Sequence, residues 1–192
     1  MTLLDLRVQE FLDEVASARR TPGGGSVAAV VTAAAASLLA KVARASSEDW
    51  AEARGVAAQA ESLRDRAAPL AQLDADQYEA ALLARGNSGE QRGDRRDFAL
   101  GRAYARAAEP PLQIVETAAD VAQLAVTVAR NGDQALRADA AAAGVLAAAA
   151  ARAAAELVAV NLTTSEDDTR VVQARALAAE AARAADEAYA GG

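Results

Sequence analysis

The chain has 192 residues, 58 of them alanine, a formal net charge of −7, and neither cysteine nor histidine. That composition excludes a disulfide framework, thiolate chemistry, a cysteine metal site and the usual imidazole base of near-neutral catalysis. Two Phe, one Trp and three Tyr, with basic residues scattered rather than gathered in a stripe, argue against nucleic-acid binding.

The first helix is predicted over 3–18, where Leu3, Leu4, Phe11, Leu12 and Val15 recur at helical spacing. A loop over 19–25 ends in Thr21-Pro22-Gly23-Gly24-Gly25-Ser26. The second helix runs from Ser26, placed as its N-cap, to about Ser46; it is apolar nearly all round and is expected to be central. Ser46, Ser47 and Asp49 mark a break and a new start. A third helix follows over 49–84, with Pro69 expected to kink or split it. Residues 85–94 hold three glycines and no apolar side chain, so they read as a solvent loop.

A fourth helix is predicted over 94–108. Pro110 and Pro111 suit the first turn of a fifth over 110–130, and Asn131-Gly132-Asp133 is a turn signal. The sixth covers 134–162, roughly 40 Å at 1.5 Å per residue. The seventh starts at Ser165-Glu166-Asp167-Asp168 and continues to about Ala190. No segment alternates with a period of two. Alanine is the strongest helix former and a poor strand former. The chain therefore reads as one all-α domain over 1–192, a bundle of about six to seven helices. Alanine also buries little area per residue, so the helices must approach closely, and part of the missing area is expected from an oligomer interface.

The N-terminal stretch carries acids inside its apolar pattern and does not read as a signal peptide. The alanine-rich run near 138–160 is broken by Asp139, Arg152 and Glu156, so no membrane span is expected and a cytoplasmic location is.

Three consecutive glycines ahead of a helix allow close backbone approach, and the N–H groups and dipole of the helix start favour an anion or an electron-rich oxygen. A flexible glycine-rich connection fits the same residues. Three polar positions interrupt apolar helix faces: Asp74 with Tyr78 one turn later, Asp139 at the start of the sixth helix, and Asn161 near its end. A carboxylate in an apolar wall has a raised pKa, which suits proton transfer near neutrality. Taken singly, a solvated acid, a helix-dipole contact and an interhelical hydrogen bond explain these three more simply than a functional role does. Lys41, the single lysine, reads as a side chain snorkelling from a helix end.

Phe11-Leu12 followed by Thr21-Pro22-Gly23-Gly24-Gly25-Ser26-Val27-Ala28-Ala29 resembles the opening of the cyclodeaminase/cyclohydrolase family. The order of Leu73-Asp74…Tyr78, Ala107-Ala108-Glu109-Pro110-Pro111-Leu112, Gly132…Asp139 and Val160-Asn161-Leu162 extends the resemblance along most of the chain. The resemblance implies an all-α homodimer acting on a small-molecule folate without metal or redox cofactor. The reaction would be either formimidoyltetrahydrofolate cyclodeamination or methenyltetrahydrofolate cyclohydrolysis. It assigns proton transfer or substrate orientation to Asp139 and Asp74, and substrate contacts to Gly23, Gly24, Gly25, Ser26 and Asn161. The turn after the second helix departs from the family's lysine-rich pattern: residues 44–50 read Arg-Ala-Ser-Ser-Glu-Asp-Trp. One counter-charge for an anionic folate tail is therefore absent there. A decayed helical module serving assembly, or a binder of another small anion, is the alternative.

Overall fold

Alanine, leucine and valine dominate every long segment, so the chain has little choice but to form helices and bury their small faces against one another. The computed structural model describes residues 2–87, 94–162 and 168–190; they are α-helical, with short 3-10 turns and no strand. The helices are α1 (Val8–Ala16), α2 (Gly24–Ala45), α3 (Ala53–Ala67), α4 (Leu70–Asn87), α5 (Asp94–Ala107), α6 (Glu109–Asn131), α7 (Arg137–Asn161) and α8 (Thr169–Ala190). Two 3-10 turns, Leu3–Asp5 and Gln134–Leu136, precede α1 and α7. The long third helix of the sequence reading is two helices. α3 ends at Ala67 and α4 begins at Leu70, because the Pro69 ring removes a backbone donor and crowds the carbonyl four residues back. α4 continues to Asn87, past the expected start of the polar loop; the rest of that loop, and most of the start expected for the last helix, fall outside the described residues.

The axis of the bundle is α6 rather than α2. Ile114, Val115, Val121 and Val128 of α6 are fully buried, and the helix touches α2, α3, α4, α5, α7 and α8. Pro110 and Pro111 fall in its first turn, where missing N–H groups cost nothing. α2 instead borders the bundle, packing on α3, α4, α6 and α7.

Close approach is achieved where the sequence is smallest. At Gly144 of α7 an added Cβ would lie 3.2 Å from Ala125 Cβ of α6 and 3.5 Å from Ala185 Cα of α8. Ala174, Ala178, Ala181, Ala185 and Ala188 give α8 a buried stripe at helical spacing. At the other edge, Ser46 links α2 to the α6–α7 turn: its hydroxyl donates to Val42 O (2.8 Å) and accepts from Asp133 N–H (2.7 Å). Three stretches, Gly24–Ala45, Arg96–Asn131 and Gln134–Asn161, are long and apolar enough by length and composition to cross a membrane; 61%, 67% and 50% of their most apolar windows are buried in the bundle.

Candidate functional site

The site begins at the glycine run. Gly23, in extended backbone, caps α2, and Gly24 and Gly25 form its first turn. Ser26 is thus the third helical residue and not the N-cap. Its hydroxyl does not cap its own helix but crosses to α4, donating to Ala71 O at 2.7 Å and lying 3.4 Å from Asp74 Oδ2. Gly25 is what permits this. A Cβ built there would fall 2.1 Å from Asp74 Oδ1 and 2.3 Å from its Cγ. The close backbone approach that the glycines signal is made by the protein's own carboxylate.

Leu70, Ala71 and Ala75 bury the inner face of α4 and carry Asp74 down with them, leaving it 9% exposed. That burial pushes its pKa from 3.8 up to about 6, against the opposing pull of hydrogen bonds from the Ser26 hydroxyl and backbone. The positive end of α2 acts in the same opposing sense. Asp74 therefore changes charge within the range where proton transfer is efficient at neutral pH.

One helical turn beyond Asp74, Tyr78 lines a pocket of about 430 Å³, a size suited to a small organic ligand. α4 contributes Tyr78 and Arg85, α5 contributes Arg96 and Tyr104, and α7 contributes Val160 and Asn161. The Asn161 amide is buried and donates to Ala107 O at 2.9 Å, which fixes its orientation at the end of α7. Arg96 Nε is buried with no hydrogen-bond partner in the protein. Arg85 also borders a wider cleft of about 740 Å³ edged by Arg19, Arg20 and Glu79. The end of α7 reaches the start of α2, since Leu157 lies 3.6 Å from where a Gly24 Cβ would be. Gly23 to Ser26, Asp74 and Asn161 thus share one end of the bundle.

Asp139 does not join them within one chain. It sits in the first turn of α7 and pairs with Lys41 near the end of α2, Nζ to Oδ2 2.5 Å. α2 and α7 run antiparallel, so the sixteen-residue climb from Gly25 to Lys41 separates the two acids by roughly 25 Å at 1.5 Å per residue. Lys41 is an ion-pair partner as well as an exposed helix-end side chain. Arg85, Arg96 and Tyr104 line the pocket without a local sequence pattern that marks them as site residues. Arginine is common on this surface, and only the packing of α5 against α4 singles these out; the spacing of Tyr104 ahead of the proline break is the one trace they leave in sequence.

A sequence model of the formiminotransferase-cyclodeaminase family matches residues 7–180. The chain belongs to that family. A solved structure, the formiminotetrahydrofolate cyclodeaminase of Thermotoga maritima, has the same fold: TM-score 0.81 and 24% identity over 97% of this chain and 93% of that one. No curated protein matches the chain. Both the Asp74 end and the Lys41–Asp139 end lie inside the stretch matched by the formiminotransferase-cyclodeaminase model.

Proposed function

We propose that the chain is a formimidoyltetrahydrofolate cyclodeaminase and that the Asp74 end of the bundle is its active site. The observation that carries this reading is a buried carboxyl, with pKa about 6, one helical turn from a pocket walled by tyrosine, arginine and Asn161. Family membership supports the substrate class.

Ring closure joins N10 of the folate to the protonated formimino carbon on N5, giving a tetrahedral carbon that bears an amino group. N10 must lose a proton and the departing nitrogen must gain one, so a single carboxylate can serve both steps. Ionised Asp74 accepts the N10 proton and returns it to the amino group, which leaves as ammonia while the methenyl bridge forms. No oxidation level changes in this sequence of steps, and the proposed reaction calls for neither metal nor redox cofactor. Asn161 orients the polar ring system, alongside the Tyr78 and Tyr104 side chains that line the pocket. The arginines of the pocket and the adjoining cleft supply counter-charge for an anionic tail, in place of a basic turn after α2. The proposed setting is cytoplasmic.

The test is to mix purified protein with 5-formiminotetrahydrofolate and follow both methenyl absorbance and ammonia. Enzyme-dependent appearance of the two in equal amounts is expected, with Asp74→Asn slower by about 10²–10⁴-fold. No release of ammonia, with acceleration of methenyl hydrolysis instead, would transfer the assignment to a cyclohydrolase; neither activity would leave a binding or assembly module.

A further inference from the structure

We infer that Arg96 selects the ring of the substrate: its Nε–H donates to the carbonyl oxygen at position 4 of the pterin, while Asn161 accepts from the ring N–H beside it. The inference rests on the reading of the pocket between α4, α5 and α7 as the place of the folate ring.

Arg96 lies in the first turn of α5 and lines the pocket of about 430 Å³. Its Nε is shut off from solvent and has no hydrogen-bond partner in the protein. Arg137 shares that feature, but its Nη2 donates to Tyr189 O at 2.9 Å and Ala188 O at 3.3 Å, so the end of α8 accounts for its position. Among the described residues no acceptor does the same for Arg96. A buried N–H without an acceptor costs free energy, and a ligand that brings one removes that cost. Rotation about the side-chain bonds of Arg96 brings the N–H to the pocket; hydrogen bonds to a substrate commonly form only in the complex.

Asn161 supplies the opposite polarity. Its amide nitrogen donates to Ala107 O at 2.9 Å, so the group it offers the pocket is its carbonyl oxygen. Leu100 and Val160 add apolar wall. One fixed acceptor, one donor in need of a partner and an apolar wall fit a flat ring that carries C=O next to N–H. The pterin of a folate carries that pair at positions 4 and 3. A carboxylate fits less well, because it would satisfy Arg96 but set a lone pair against the Asn161 oxygen. Counter-charge for a tail is a property of the whole guanidinium, and Arg85, Arg19 and Arg20 share it. Of these four arginines only Arg96 has a buried Nε–H without a partner.

The test compares folic acid with its 4-amino analogue by calorimetry at pH 7. The two carry the same tail, so counter-charge cancels. The 4-amino ring reverses both bonds: an amino group replaces the carbonyl, and the neighbouring ring nitrogen loses its hydrogen. Wild type should prefer folic acid on the order of 100-fold, about tenfold for each bond that reverses. Arg96→Lys keeps the charge but puts a methylene where Nε was. Its preference should fall to about tenfold, the share of Asn161. Arg96→Gln loses the charge but keeps an amide nitrogen the same number of bonds from the backbone, so its preference should stay on the order of 100-fold. Both variants should retain helical circular dichroism. A wild type that binds neither compound, or that prefers folic acid by less than about tenfold, would overturn the inference. So would an unchanged preference in Arg96→Lys, or an Arg96→Gln as unselective as Arg96→Lys. Binding needs no turnover, so the two readings fail separately. Ring preference without ammonia release would sink the cyclodeaminase and leave Arg96 in its role; ammonia release without ring preference would do the reverse.

Discussion

Replacing Asp74 by Asn keeps the side chain's shape and its acceptor toward Ser26 but removes its titration. In the folded protein burial lifts the Asp74 pKa from 3.8 to about 6, so the folded state holds a proton that the unfolded chain has already released. The resulting stability is fully present below about pH 4 and is lost as pH rises through about 6. Between pH 4.5 and pH 8 the loss comes to roughly 2 kcal/mol, at about 1.4 kcal/mol per pH unit of displacement. In a protein of this size 1 kcal/mol moves the melting temperature by about 2–4 °C. The difference in Tm, variant minus wild type, should therefore rise by about 4–8 °C between pH 4.5 and pH 8, because only wild type must ionise a buried acid at the higher pH. Thermal unfolding of both proteins by circular dichroism across that range measures it. Parallel pH profiles would refute the argument, since they would mean that Asp74 ionises as freely in the fold as in the unfolded chain.

Gly25→Ala places a methyl group on the Asp74 carboxylate and should cost about 2–3 kcal/mol by chemical denaturation, in the range of overpacked sites. Adding Asp74→Gly should recover most of that loss, and a cycle with no coupling would contradict the contact. Asn161→Ala leaves the buried Ala107 carbonyl without its donor, so a loss of about 1–3 kcal/mol in urea unfolding is expected. Gly144→Val pushes side-chain atoms against α6 and α8 and should lower Tm by several degrees, at about 1–3 kcal/mol. For the proposed reaction, kcat/KM should rise with pH through about 6 and then level off. That rise should be absent in Asp74→Asn.

The helices were legible because their signals are local. Pro69 cuts the long third segment, Pro110 and Pro111 start α6, and the apolar spacing of Leu and Val marks the faces, all within a few residues of chain. The glycine run was legible as a place of close approach, though not for whose carboxylate. Forty-nine positions separate Gly25 from Asp74, and nothing local in either stretch records that α4 lies across the start of α2. The same holds for Lys41 and Asp139, two polar interruptions that read separately as a snorkelling side chain and a helix-dipole acid, and that the antiparallel packing of α2 and α7 joins.

By itself the sequence determined an all-helical bundle, its breaks, and a family whose order of motifs runs along the chain, because propensity, proline placement and motif order are properties of the chain. Only the tertiary structure decided which polar residues meet. It set Asp74 on Ser26, turned Asn161 toward α5, drew Arg85 and Arg96 to one pocket, and left Asp139 at the far end of the bundle. The reason is that alanine helices carry little side-chain bulk to encode partners. Their pairing follows from whole faces fitting closely, and a buried carboxyl acquires its raised pKa only once that fit has excluded water.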